Sequence, residues 1–182
     1  MHHTSTSPGP DPADTFTASD GRRFLLRPIR ATDADALVRA FARLTPEQIR
    51  LRVFHRLGAL SPEVATRLAN PDPAWAAAWV AIDSDEEIRG DARYYADRAG
   101  KRAEFGVIVD PSVTGLGLGR ALLQCLLDDA RARGLEELWG AVLTENATML
   151  ELAQQLGAVR GAMEGEPGVV RVGFKLGTGG TT

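Results

Sequence analysis

A loop with three glycines constrains the fold of this chain more than any other stretch. The β-branched run 107–109 ends at the breaker Asp110-Pro111, and Gly115, Gly117 and Gly119 follow. Apolar residues then recur at helical spacing. This order predicts a strand, a glycine loop and the start of a helix.

Such a loop is suited to binding a phosphate group. Glycine has no Cβ atom, so the backbone can approach an anion closely, and a helix start adds unpaired N–H donors and the positive end of the dipole. A Walker loop is excluded, because Arg120-Ala121 stands where that loop requires Lys and Ser or Thr. A dinucleotide fingerprint fails as well, since no glycine completes Gly-x-Gly-x-x-Gly. A tight turn followed by a helix cap is the alternative interpretation of the glycines alone.

The composition predicts one soluble domain that does not bind nucleic acid or membranes. A chain of 182 residues is long enough for one hydrophobic core, and its net charge of −3 provides no basic surface for nucleic acid. No apolar run approaches the ~20 residues that span a membrane, and no apolar secretion signal opens the chain. A single cysteine excludes an internal disulfide. We therefore expect a cytoplasmic protein.

The hydrophobic pattern predicts an α+β fold with a mixed sheet. Residues 1–20 are polar and proline-rich and are predicted to form a disordered tail; residues 21–176 form the folded domain, and 177–182 a flexible tail. Within the domain the predicted order is β-α-α-β-β-β-α-β-α-β-β. Two alternating runs, 88–95 and 102–109, are predicted to pair as antiparallel strands.

The glycine loop and this order of elements resemble the GNAT N-acetyltransferases. The coenzyme-A loop of that family has the pattern Gln/Arg-x-x-Gly-x-Gly/Ala, which is similar to Thr114-Gly-Leu-Gly-Leu-Gly119. Thr114 stands where the family usually has Gln or Arg. The resemblance implies the GNAT fold, a mixed and mostly antiparallel sheet of about six or seven strands flanked by helices.

Three further stretches are similar to the GNAT domain of bacterial Pat-type protein lysine acetyltransferases. They are Arg27-Pro-Ile-Arg-Ala-Thr-Asp33, the run 43–54 (Arg-Leu-Thr-Pro-Glu-Gln-Ile-Arg-Leu-Arg-Val-Phe) with Leu60-Ser-Pro-Glu63, and Glu145-Asn-Ala-Thr-Met149. This similarity covers roughly residues 22–176, and it implies transfer of an acetyl group from acetyl-CoA to a primary amine. A protein lysine is one candidate acceptor.

An amine acceptor requires the loss of a proton, because less than ~0.1% of a lysine ammonium with a pKa near 10.4 is free base at neutral pH. Glu104 is the first candidate for the general base, since a carboxylate between Ala103 and Phe105 should have a raised pKa. Glu145, at a strand-to-helix junction, is the second. The alternative interpretations are an ion pair of Glu104 with a neighbouring basic residue and a favourable helix N-terminal charge for Glu145.

The resemblance also implies the coenzyme-binding residues. The strand backbone at 107–109 would pair with the acetyl and pantetheine amides, and N–H groups of the loop would hold the pyrophosphate. Many family members have a tyrosine seven residues after the asparagine that matches Asn146, where it protonates the leaving thiolate; position 153 is Ala here. The implied set is Val107, Ile108, Val109, Thr114, Gly115, Leu116, Gly117, Leu118, Gly119, Arg120, Asn146 and Ala153.

Two other functions stay open at this point. One is acetylation of a small amine, since the loops that set acceptor specificity cannot be predicted. The other is a coenzyme-A-binding regulatory module with little catalysis, which Thr114 and Ala153 leave open. No metal is expected, and the chain is expected to be a monomer or a homodimer.

Overall fold

A mostly antiparallel sheet of eight strands forms the centre of the computed structural model, which describes residues 13–51 and 60–177. The strands lie in the order β1-β2-β3-β4-β5-β6-β8-β7, and β5 and β6 pair in parallel. Their bounds are β1 (Asp14–Thr17), β2 (Arg23–Pro28), β3 (Ala76–Ile82), β4 (Ile88–Ala96), β5 (Arg102–Val109), β6 (Glu137–Leu143), β7 (Val159–Ala162) and β8 (Val169–Lys175). The predicted α+β class and mixed sheet are confirmed.

Helices cover both faces of the sheet. They are α1 (Ala34–Ala42), α2 (Pro46–Leu51), α3 (Pro62–Ala69), α4 (Leu118–Ala132) and α5 (Ala147–Gln155). The longest, α4, packs against β3, β4 and β5, whereas α1 and α3 pack against each other and on the opposite face of the sheet.

The spacing of leucines explains the position of α4. Leu118, Leu122 and Leu126 recur every four residues, and each is at most 1% exposed. Residues four apart share one side of a helix, and burial of each leucine stabilises the fold by roughly 1.5–3 kcal/mol. The helix is therefore anchored along its length, which fixes the position of its first turn.

The first strand corrects the predicted boundary of the N-terminal tail. β1 lies within the segment 1–20, and it pairs with β2 at the edge of the sheet. Its sequence, Asp-Thr-Phe-Thr, contains one apolar residue and so gives no alternating pattern. Phe16 packs against the main core. Residues 1–12 and 178–182, which make up most of the predicted tails, lie outside the described residues, as does the stretch 52–59.

The motif that begins at Arg27 ties β2 to α1. The Arg27 guanidinium makes two hydrogen bonds of 2.7 and 2.9 Å with the Asp33 carboxylate, and the Arg30 N–H donates to the same carboxylate at 2.7 Å. Arg27 and Asp33 are both buried. These residues therefore act in the fold, because a buried ion pair satisfied on both sides sets the angle between the two elements.

The feature that positions the site is the separation of β5 from β6. Their register contains three pairs, Arg102 with Glu137, Ala103 with Leu138, and Glu104 with Trp139. β5 continues to residue 109 and β6 to residue 143, but the pairing does not continue with them. Beyond the last pair the strands diverge and leave a wedge with unpaired backbone groups on its inner edges.

Candidate active site

A cleft of about 450 Å³ lies beside the end of β5, past the point where β5 and β6 stop pairing. Its walls come from the end of β5, the glycine loop, the first turn of α4 and one side of α5. The lining residues are Gln48, Val107, Ile108, Val109, Val113, Thr114, Gly115, Gly117, Leu118, Gly119, Arg120, Asn146, Thr148, Met149, Glu151, Leu152 and Gln155. Ten of the twelve coenzyme-binding positions expected from the sequence are therefore brought together.

The backbone of β5 directs alternate residues into the cleft. The Val109 carbonyl accepts a hydrogen bond from Gln48 Nε2 at 2.7 Å, whereas the Asp110 N–H donates to the Arg89 carbonyl on the β4 side at 2.8 Å. Because backbone groups alternate sides along a strand, those of Val107 and Val109 face the cleft and those of Ile108 face β4. Pairing with a ligand's amides is thus available at Val107 and at the Val109 N–H, while Ile108 contributes its side chain.

The start of α4 forms an anion-binding cradle. Gly115 and Gly117 have positive φ angles of 77° and 89°, which favour glycine. Gly117 is the N-cap of α4 and has no side-chain cap, and the first helical hydrogen bond runs from the Ala121 N–H to the Gly117 carbonyl. The N–H groups of residues 118–120 therefore have no helical partner. With the positive end of the helix dipole, they fit a pyrophosphate.

Two side chains at the edge of the cradle, those of Arg120 and Thr114, are held by different hydrogen bonds. Arg120 Nη1 donates to Gln155 Oε1 at 3.1 Å, so its guanidinium is held across the cleft from α4 to α5. Thr114 Oγ1 donates to the Pro111 carbonyl at 3.2 Å and is thereby used within the loop. Arg120 can supply charge to a phosphate, while Thr114 supports the loop conformation.

The second helix at the cleft begins at Asn146. Its side-chain oxygen accepts a hydrogen bond from the Met149 N–H at 3.2 Å, as expected of a helix cap, and Asn146 also lines the cleft. Two expected positions lie elsewhere: Leu116 and Ala153 are not among the lining residues. Ala153 is fully buried in the core, because its position lies on the inner side of α5 and its methyl group is too short to reach the cleft.

Sequence reasoning missed one residue that reaches the cleft from α2. Gln48 Oε1 accepts from the Thr45 N–H at 3.1 Å, and the Gln48 N–H donates to Thr45 Oγ1 at 3.1 Å. The spacing Thr-x-x-Gln is a capping box, which was a readable signal for the helix start. Nothing in the sequence indicated its contact with Val109. The missed α5 residues Thr148, Leu152 and Gln155 are spaced to share one helix face.

Glu104 lies at the vertex of the wedge, on the face opposite α4. Its neighbours Ala103 and Phe105 are buried in the core beside α4, so Glu104 points away from that core. The adjacent basic residues bind elsewhere, Lys101 to Glu136 at 2.9 Å and Arg102 near Glu137. Glu104 makes no hydrogen bond or ion pair within the described part of the chain. Burial raises its pKa, and the nearby Glu166 carboxylate raises it further.

Glu145 is in a different environment, which argues against its predicted role as a base. Its side chain is 53% exposed and forms an ion pair with Arg50 of α2. The Arg50 hydrogen bond lowers the pKa of Glu145. A carboxylate whose charge is stabilised in this way is a weak proton acceptor, so the geometry favours Glu104.

Comparison with known families decides the assignment. Residues 23–159, about three quarters of the chain, match the acetyltransferase (GNAT) domain. The chain belongs to the GNAT acetyltransferase family. The prediction of an N-acetyltransferase with acetyl-CoA as its donor is thereby confirmed at the level of the family.

Individual relatives agree with this GNAT assignment. The chain is 31% identical to acetyltransferase PA5475 of Pseudomonas aeruginosa over 77% of either protein. It is 43% identical to the ribosomal protein bS18-alanine N-acetyltransferase of Escherichia coli K12 over 53 residues, 29% of this chain and 36% of that enzyme. Among solved structures, the GNAT domain of S. lividans PAT superposes with a TM-score of 0.81 at 26% identity, covering 90% of this chain and 97% of that one.

Membrane-spanning helices and clusters of metal ligands are both absent from the described residues. No helix within residues 13–51 and 60–177 is long and apolar enough to cross a membrane. Over the same described ranges, no group of three or more His, Cys, Asp or Glu side chains is placed to hold a metal ion.

Proposed function

We propose that this protein transfers the acetyl group of acetyl-CoA to a primary amine by direct attack, with Glu104 as the general base. The observation that carries the proposal is the separation of β5 from β6 immediately after Glu104. This supports the proposal because Glu104, which has no ion-pair partner among the described residues, precedes by a few positions the part of β5 that lines the cleft with its anion cradle. A donor that binds by its pyrophosphate would direct its acyl end toward that carboxylate.

The donor would be held mainly by backbone groups. The N–H groups of residues 118–120 would bind the pyrophosphate, and the backbone groups of Val107 together with the Val109 N–H would pair with the pantetheine amides. Arg120 would add charge at the rim. Because these contacts come largely from backbone, the unusual Thr114 does not remove them.

Proton removal from the amine is the task assigned to Glu104. Burial and Glu166 raise its pKa, which makes the carboxylate a better proton acceptor. Glu104 and Val107 lie three positions apart along the strand, a span of about 10 Å. A chain of water molecules would therefore relay the proton when the amine attacks an acyl group held beside Val107.

The leaving thiolate has no tyrosine acid in the usual place. Ala153 is buried in the core, and of the chain's two tyrosines Tyr94 is buried and donates to Asp129 Oδ2 at 2.6 Å. Burial, with Asp129, also raises the pKa of Tyr94. A thiol with a pKa near ~8.5 can leave as the thiolate and be protonated by water.

The proposal also concerns the class of amine that accepts the acetyl group. A protein lysine is supported by the likeness to the S. lividans PAT domain, and a protein α-amine by the short match to the bS18-alanine enzyme. Incubation with acetyl-CoA and a panel of lysine peptides, N-terminal peptides and small amines, with thiol release and product mass as readouts, tests the proposal. Tight acetyl-CoA binding without turnover of any amine would instead support a regulatory module.

The protein's own thiol does not disturb that assay. Cys125 is the only cysteine of the chain, and it is partly buried on α4. Burial, with the Asp128 carboxylate, raises the pKa of the Cys125 thiol to about 11. Little thiolate is present at neutral pH, so reaction of Cys125 with a thiol reagent is slow.

A further inference from the structure

A row of three side chains crosses the sheet at the vertex of the wedge. Tyr95 of β4 is in register with Glu104 of β5, and Glu104 is in register with Trp139 of β6. Residues in register on neighbouring strands project from the same face. The Glu104 carboxylate therefore has an aromatic residue on each side, on the face that does not carry α4.

The ring of Trp139 is already in contact with a cation. The Arg171 guanidinium lies 4.9 Å from the ring centroid, and its Nη1 donates to Glu137 at 2.8 Å. Gly173 makes this arrangement possible, because a Cβ atom there would lie 2.8 Å from Arg171 Nη1 and 2.9 Å from Glu137 Oε1. Glu137 and Arg171 thus brace the indole ring beside Glu104.

The charge at the vertex is negative and uncompensated. Glu104 and Glu166, from the turn between β7 and β8, are close enough to repel each other. The arginines that share this face are engaged elsewhere, Arg93 with Asp91, and both Arg102 and Arg171 with Glu137. Neither carboxylate has a partner cation within the described part of the chain, so the two together favour a positively charged ligand.

Tyr95 supplies an aromatic surface beside Glu104 that is accessible to a ligand from solvent. It is 43% exposed, and its hydroxyl lies 3.5 Å from Arg93 Nη1, which holds the ring at the row. An exposed aromatic ring beside a carboxylate is a good site for an ammonium group on an aliphatic chain, since the methylenes pack on the ring and the charge interacts with its face.

We infer that Tyr95 and Trp139 determine acceptor specificity, and that the acceptor amine is a primary alkylammonium group with no carboxylate beside it. The inference rests on the proposed function and names its substrate class. A lysine side chain and a small diamine share this chemistry. A free amino acid carries a carboxylate next to its amine and would be repelled by Glu104 and Glu166.

Equilibrium titration separates this inference from the proposed function. The full chain, saturated with CoA, is titrated with cadaverine, with a peptide that has one lysine and an acetylated N-terminus, and with glutamate. The wild type should bind the first two and discriminate against glutamate by about tenfold or more. Tighter binding of the peptide assigns the group to a protein, and tighter binding of cadaverine assigns it to a small diamine; either supports the alkylammonium.

Variants of the aromatic row complete the test. Tyr95→Ala and Trp139→Ala should weaken alkylammonium binding about fivefold or more and raise the acceptor KM in turnover, with the acetyl-CoA KM unchanged. Leu25→Ala, which removes an exposed apolar side chain on β2, is the control and should bind as the wild type. Equal binding of glutamate and cadaverine, or unchanged binding in Tyr95→Ala, would overturn the inference. Absence of acetyl transfer to every amine would contradict only the proposed function.

Discussion

Glu104 and Trp139 form the last cross-strand pair before β5 and β6 separate. The carboxylate therefore stands where the sheet stops being continuous, between the donor cleft and the face that carries the aromatic row. Burial and the Glu166 carboxylate raise the pKa of Glu104, and no basic side chain among the described residues pairs with its charge. A carboxylate with these properties is suited to accept a proton during catalysis.

Glu104→Gln should lower kcat/KM for the amine at pH 7 by about 10²–10⁴, because the amide cannot accept the proton. The dissociation constant for acetyl-CoA should not change, since Glu104 is not among the residues that line the cleft and its cradle. Steady-state kinetics and titration calorimetry measure the two effects. A variant with wild-type kcat/KM would remove Glu104 from the base role.

The pH dependence of the reaction should also report whether Glu104 acts as the base. In the proposed mechanism the basic form of Glu104 is the active one, so kcat should rise with pH through a pKa above the ordinary value of a glutamate. The Glu166 carboxylate in the β7–β8 turn raises the pKa of Glu104, so Glu166→Gln should move the acidic limb to lower pH. An acidic limb that persists unchanged in both Glu104→Gln and Glu166→Gln would assign it to a different group.

The raised pKa of Glu104 also affects the stability of the folded protein. A carboxyl group whose pKa is raised on folding stabilises the fold below its unfolded pKa, and that contribution is lost as pH rises through the folded pKa. At pH 7 the ionised Glu104 therefore disfavours folding, and Glu104→Gln should have an equal or higher Tm. Calorimetry at pH 7 checks this, and a clear fall in Tm would contradict it.

Gly117→Val should abolish measurable acetyl-CoA binding. Valine disfavours the φ of 89° found there, and its Cβ would lie 3.3 Å from Phe16 Cζ, so the first turn of α4 must shift. Gly21→Val is the matched control, because Gly21 has the same φ of 89° in the β1–β2 turn and an open surrounding. Calorimetric titration should show loss of binding in the first variant and not in the second. Retained affinity in Gly117→Val would contradict the cradle.

The elements around the cleft were predictable because their signals are local. The alternation in 102–109 and the leucine spacing of α4 each require only neighbouring residues, and both elements form where they were expected. The end of β5–β6 pairing after Glu104 is set by contacts between distant segments. The same holds for Gln48, whose side chain meets a carbonyl 61 residues away. Ala153 shows a different limit of prediction. The family resemblance indicated a coenzyme-binding position there, but the sequence did not show that the side chain would be buried in the core.

Asp110→Asn should destabilise the protein at neutral pH. Burial would raise the pKa of Asp110, but hydrogen bonds from Ser112, Arg43 and Arg89 outweigh it and lower that pKa to about 2. The stabilisation is present above the ordinary pKa of 3.8 and is lost as pH falls through about 2. It amounts to about 2 kcal/mol at pH 7 for a side chain this well buried.

Urea denaturation at pH 7 measures this change in the free energy of unfolding. Asp20→Asn is a suitable control, because Asp20 also pairs with an arginine, Arg22 at 2.6 Å, but on the surface. Surface ion pairs contribute little, so no clear change is expected there. Equal unfolding free energies for the wild type and Asp110→Asn would show that the network around Asp110 does not hold the start of the glycine loop.

Arg120→Ala should weaken acetyl-CoA binding about threefold to tenfold at low ionic strength, and less at high salt. The guanidinium that Gln155 holds across the cleft is partly exposed to solvent, so its attraction for a phosphate is screened by added ions. Arg131→Ala removes the same charge from the other end of α4, where Arg131 pairs with Asp128 at 3.1 Å, and should leave the affinity unchanged. Titrations of both variants at two salt concentrations distinguish a local contact from a general effect of charge. If the two variants lose affinity equally, Arg120 acts only through the net charge of the protein.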